Sequence, residues 1–176
     1  MARFGRVPGL LDESSQIYYD TLTLVAGTAV YRFFTVPVGG AKSRLLTNMT
    51  LAGQLPAPQS LKINAVRVIA KTGTSAQVVD LINRSYVVFK VGEKEQLVAP
   101  TFFFSAGAGL YNNITTDQAQ NGMPDARSLW ALEKPVVIGV SQNFYLDIVY
   151  DVAPVTATAG IQVCVALDGA LVRGVQ

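Results

Sequence analysis

The sequence predicts an all-β fold: one domain of short antiparallel strands joined by Gly, Pro and Asn turns. Three observations predict it. From Ile17 onward, runs of β-branched and aromatic residues recur, several with a period of two, and turn residues punctuate them. No stretch of twelve or more residues keeps a 3.6 period without Gly or Pro intervening. The chain has 176 residues, half of them hydrophobic and only 15% charged, which suits one ordinary domain able to bury a core without disulfides or a structural metal.

Residues 1–16 hold Gly5, Pro8, Gly9, two arginines and the acidic pair Asp12 and Glu13, with no sustained period, and read as an extended arm ahead of a single domain over 17–176. Ile17 to Val25 and Thr28 to Val36 are two strands separated by Ala26-Gly27. Pro37, Gly39 and Gly40 end the second, and Lys42 to Gln59 mixes a short apolar stretch with Pro56 and Pro58. In Leu61 to Lys71 the apolar positions change phase, from Leu61 and Ile63 to Val66, Val68 and Ala70, which predicts a β-bulge. Arg84 to Val91 is a further strand. Phe102 to Phe104 read as strand residues on alternate faces, so that at least one ring meets something beyond its own sheet. The best helical stretch, Asp117 to Leu132, carries Gly122 and Pro124 and amounts to a turn or two at most.

The cleanest alternation is Phe144, Leu146, Ile148 and Tyr150 against Tyr145, Asp147 and Val149. Ile161, Val163, Val165 and Leu167 follow, and Asp168-Gly169 predicts a type I′ hairpin into Ala170 to Arg173. About eight strands indicate a sandwich or barrel.

Composition narrows function by exclusion. A net charge of +2, with basic residues spread along the chain, lacks the concentrated stripe that nucleic-acid packaging needs. With no histidine there is no Ser-His-Asp or Cys-His arrangement, and one cysteine, Cys164, makes zinc improbable and an internal disulfide impossible, as fits a reducing compartment. Glu93 and Glu95 sit among Lys90, Gly92 and Lys94 and read as a solvated loop. Asp147 and Asp151 supply too few oxygens for Ca²⁺. Gly107-Ala108-Gly109 is a turn, and the sequons at Asn48, Asn83 and Asn113 are what a turn-rich chain produces by chance. Trp130 reads as a packing residue. Tyr18, Tyr19, Tyr31, Phe33 and Phe34 interleave with Arg32 alone, too little charge for a single-strand groove. The uncharged run Gln96 to Thr116 is interrupted by Pro100, Gly107, Gly109 and two asparagines, so a spanning helix is not expected. Met1 to Gln16 lacks the apolar region of a secretory signal. No catalytic, cofactor-binding or metal-binding residues are expected, and the chain reads as a non-enzyme.

Three segments carry a family resemblance: the arm Arg3-Phe4-Gly5-Arg6-Val7-Pro8; Pro135-Val136-Val137-Ile138-Gly139 with Gln142-Asn143-Phe144-Tyr145-Leu146-Asp147-Ile148; and Leu167-Asp168-Gly169-Ala170-Leu171-Val172-Arg173. With this layout the chain resembles the small single jelly-roll capsid proteins of tailless icosahedral phages, especially the vertical β-barrel coats of internal-membrane phages infecting thermophilic bacteria. The resemblance implies an antiparallel jelly-roll barrel or sandwich whose surfaces are its function. It implies a capsid subunit, made in the host cytoplasm and assembled into the virion with copies of itself, with or without a second capsid protein, over a viral membrane. Direct sequence-specific nucleic-acid binding is not expected. The arm, with Arg3, Phe4, Arg6 and Val7, would be the subunit contact. The rival expectation is a carbohydrate- or receptor-binding β-sandwich, a spike or adhesin head using Trp130 and exposed tyrosines. A metal-dependent cupin is disfavoured by the missing histidines.

Overall fold

The computed structural model describes residues 11–104, 111–113, 118–120, 129–151 and 160–174. Its elements are β1 (Leu11–Leu24), β2 (Val30–Phe33), β3 (Ser60–Ala70), α1 (Ser75–Arg84), β4 (Ser85–Val91), β5 (Lys94–Pro100), a 3-10 turn (Thr101–Phe104), β6 (Tyr111–Asn113), β7 (Gln118–Gln120), β8 (Ala131–Ile138), β9 (Phe144–Tyr150) and β10 (Ile161–Gly174). The all-β expectation holds. Two four-stranded sheets form, ordered β1-β10-β3-β8 and β2-β9-β4-β5, while β6 and β7 pair separately. All the strand pairings are antiparallel.

The core lies between the two four-stranded sheets. Leu61, Ile63, Val163, Val165 and Leu167 from the first face Phe33, Phe89, Phe144, Leu146 and Ile148 from the second, all essentially without solvent exposure. Each such side chain stabilises the fold by about 1.5–3 kcal/mol through burial alone. Phe34 and Phe144 pack at 5.5 Å between ring centroids, and Phe89 reaches the edge of Phe144 at 6.4 Å. One ion pair is shut inside: Lys42 Nζ lies 2.6 Å from Asp20 Oδ1, with the carboxylate fully buried. The other oxygen of Asp20 accepts the Phe34 N–H at 2.7 Å and thereby fixes a non-glycine residue at φ 68°.

The predicted bulge is present, as a register shift between Ile63 and Ala65. Four expectations are corrected. Residues 11–16 are not arm but the first part of β1, paired residue by residue with Gly174 to Gly169. Cross-strand ion pairs Asp12–Arg173 at 2.7 Å and Glu13–Lys62 at 3.5 Å accompany that pairing. Among the described residues the helix is α1, where none was expected; of Asp117 to Leu132, Gln118–Gln120 and Ala131–Leu132 are strand, and residues 117 and 121–128 lie outside the described residues. The Thr74 hydroxyl accepts the Gln77 N–H while the Gln77 side chain accepts the Thr74 N–H, a capping box that starts α1, and Val78 and Leu81 bury its inner face.

Phe102 to Phe104 form the 3-10 turn, with Phe104 buried and the other two rings half exposed. Its start is pinned by Thr101 Oγ1, 2.6 Å from the Ser85 hydroxyl. Asp168-Gly169 does not turn the chain. β10 runs straight through it, and a register shift against β3 falls between these two residues. The space explains the glycine: a Cβ on Gly169 would stand 2.1 Å from the Lys62 carbonyl oxygen.

Burial pushes the phenol pKa of Tyr150 well above its ordinary value, and that of Tyr18 in the same direction. A raised tyrosine pKa contributes stability that is complete below the unfolded value near 10 and is lost as pH climbs toward the folded value. Unfolding free energy should therefore be unaffected by these groups up to about pH 9 and fall above about pH 10. A 295 nm titration should show the Tyr150 phenol ionising only with unfolding and the Tyr18 phenol ionising above its ordinary range. Titration of all seven tyrosines as free phenols in the folded protein would contradict this.

Candidate interaction surfaces

The expected subunit-contact residues Arg3, Phe4, Arg6 and Val7 lie outside the described residues. The arm's point of departure is nevertheless defined, since Leu11 stands at the end of β1 opposite Gly174.

Three other surfaces have definite chemistry. The outward face of the β2-β9-β4-β5 sheet is apolar over much of its width. Register aligns Val30, Val149, Tyr86 and Pro100 in one apolar row, and Arg32, Asp147, Val88 and Val98 in the next, half ionic and half apolar. Val30, Tyr86 and Val98 are exposed there, Val98 by 53%. Asp147 does not serve a cation site. Arg32 grips it with two hydrogen bonds of 2.9 and 3.0 Å, and the guanidinium stacks 4.0 Å from the Tyr145 ring centroid. A bidentate pair braced by an aromatic face is rigid and self-neutralising.

The second surface is an aromatic row. Phe102 and Phe103 lie 4.4 Å apart between centroids, Phe103 and Trp130 5.4 Å, and Trp130 and Phe104 5.2 Å. Trp130 thus packs, as expected, but remains 37% exposed beside two exposed phenylalanines. The third is a cleft of about 590 Å³ between β1 and the 38–59 segment, with Tyr18, Tyr19, Arg44, Asn48 and Gln59 among its walls. Its polar atoms are largely occupied: the Tyr19 hydroxyl donates to the Arg44 carbonyl, and Asn48 bonds to the β1 backbone.

The remaining predicted chemistry-bearing residues are not brought together. Glu93 occupies the β4–β5 turn, while Glu95 pairs with Lys90 at 2.9 Å. Cys164 is half buried on β10, and burial pushes its thiol pKa up, so it is a poor nucleophile. Among the described residues no group of three or more His, Cys, Asp or Glu could hold a metal ion, and no helix is long and apolar enough to cross a membrane. Gly107-Ala108-Gly109 lies outside the described residues. Sequence reasoning missed the apolar row Val30, Val149, Tyr86 and Pro100 across the β2-β9-β4-β5 sheet, because a row joins residues from four strands and only register reveals it.

Comparison with family models, with curated proteins and with solved structures found no match.

Proposed function

We propose that this chain is a virion structural protein, a jelly-roll capsid subunit that assembles with copies of itself. The observation that carries the reading is strand pairing. β1 pairs with β10, β2 with β9, β3 with β8 and β4 with β5. Such pairing describes one antiparallel ribbon bent at the β4–β5 hairpin, with β6 and β7 inserted in its return half. Wound so that successive rungs fall in opposite sheets, the ribbon is closed by β10 against β3 and by β9 against β4. This pairing supports a jelly-roll reading, the architecture of viral capsid, lectin and cupin domains.

Surface chemistry supports the capsid branch of that set. A subunit enclosed by neighbours keeps apolar side chains outside its own core and few charges, as interfaces are charge-depleted at their centres. The exposed rows of the β2-β9-β4-β5 sheet and a charged fraction of 15% fit that description. Residues 1–10, with Arg3, Phe4, Arg6 and Val7, are the segment proposed to reach a neighbouring subunit. A second coat protein and an underlying membrane belong to this same proposal.

Electron microscopy of the purified protein is the test, with shells or regular sheets expected. A chain that stays dispersed at every concentration, alone and with the neighbouring gene products, would overturn the reading. Deleting residues 1–10 leaves β1 whole, so the variant should keep the β-sheet circular dichroism of the full chain yet sediment as a small species. Unchanged assemblies would remove the arm from the mechanism. The aromatic row favours one second reading, a glycan-binding head: glycan-array binding abolished by Trp130→Ala would replace the capsid proposal with it.

A further inference from the structure

Four strand edges border the two main sheets, and three are blunted. β8 carries Pro135, and its pairing with β3 is irregular between Ala131 and Val136. β5 begins with Lys94 and Glu95 and ends on Pro100, and β2 has only four residues. Prolines, charges and brevity are the usual guards against edge-to-edge pairing. The fourth edge, β1, is guarded around Ile17 to Asp20. Tyr19 N–H donates to Asn48 Oδ1 at 2.9 Å, the Tyr19 carbonyl accepts Asn48 N–H at 3.3 Å, and the Ile17 carbonyl accepts Asn48 Nδ2 at 2.7 Å.

N-terminal to Ile17, no described residue covers the edge. In a strand, the N–H and C=O of one residue point to the same side and successive residues alternate. Tyr19 points away from β10, and the β1–β10 register runs from Leu24 to Leu11 without a shift. Glu13 and Ser15 therefore point their backbone groups to the same free edge, where no partner is present among the described residues. Among the described residues, six positions of unguarded edge stand beside three guarded edges, an arrangement that a solitary sandwich does not need.

The geometry points to a second copy of this chain as the occupant, its β1 pairing antiparallel with β1 about a two-fold axis at Ser14. In that register Glu13 meets Ser15 of the other copy and Ser15 meets Glu13, giving reciprocal backbone hydrogen bonds, and Leu11 falls opposite Ile17, whose carbonyl stays with Asn48 Nδ2. The free stretch, bounded by the Asn48 guard at Ile17, is thus used in full by its own copy, and an isologous contact requires such self-complementarity. Charge permits it: Asp12 falls opposite Gln16 and Glu13 opposite Ser15, and each acid already has a cation in its own subunit, Arg173 and Lys62. The two four-stranded sheets then become one sheet of eight strands. The inference rests on the self-association reading only in taking a copy of this chain as partner.

Ser14 faces its own copy across the axis in a non-hydrogen-bonded pair, where Cα atoms stand about 4.5 Å apart, within disulfide reach. In a Cys164→Ser background, Ser14→Cys should convert to disulfide-linked dimer under oxidised glutathione, while Ala76→Cys on α1 stays monomeric. Ser15→Pro removes an edge donor not used by β10 and should halve the mass measured by light scattering. Dimer yield from Ser14→Cys no greater than from Ala76→Cys would overturn the inference, whatever Ser15→Pro does. If shells still form in microscopy, only the β1 edge is refuted. If neither crosslink nor assembly appears, self-association falls with it.

Discussion

Gly169→Ala lowers the unfolding free energy by about 3 kcal/mol, the upper end of overpacking costs, because its new methyl has nowhere to go. The Cβ position lies 2.1 Å from the Lys62 carbonyl oxygen and 2.9 Å from the Lys62 carbonyl carbon, both backbone atoms. A flexible side chain could step aside, whereas here β3 itself must move from β10. Those two strands are the centre of their sheet, so the strain spreads to β1 and β8. Urea unfolding followed by circular dichroism measures it. Gly27→Ala serves as a comparison: its Cβ meets nothing within 4 Å, but at φ +84° it carries backbone strain alone. A Gly169→Ala loss no greater than that of Gly27→Ala would show that the approach of β3 to β10 is not tight.

Lys42→Met is expected to cost about 3–5 kcal/mol, since it strands a buried carboxylate without its counter-ion. Asp20 is fully enclosed, and the Lys42 side chain nearly so, at 8% exposure. Surface pairs such as Lys90–Glu95 are worth far less, because water screens them. The repair is specific: adding Asp20→Asn should recover most of the loss. The asparagine carbonyl can still accept the Phe34 N–H, and no charge remains to be desolvated. A double variant no more stable than Lys42→Met alone would mean that Lys42 acts through its aliphatic stem and not its charge.

The strands of the core were legible because their side chains alternate in character. Phe144, Leu146, Ile148 and Tyr150 face inward as their spacing required, and the phase change in β3 marked its bulge. The first residues of β1 were not legible, since Asp12, Glu13, Ser14 and Ser15 have no apolar period. Their strand state comes from backbone pairing with β10. α1 has ten residues, too short for a twelve-residue window. Thr74 followed by Gln77, with Val78 and Leu81 beyond, was the capping signal that would have located it. Asp168-Gly169 was misread because close approach to a neighbouring strand selects glycine as strongly as a hairpin does. The open edge of β1 could not be read at all, since it depends on where Asn48 comes to rest.

Pro135 and its irregular strand have a consequence for growth. A subunit whose sheet could accept a partner at both borders would add copies without end, and the product would be a fibril with the cross-β ladder as its axis. Closing the β8 border while leaving β1 open allows one union and then stops. Termination of this kind would hold a self-pairing chain at the dimer and away from the fibril.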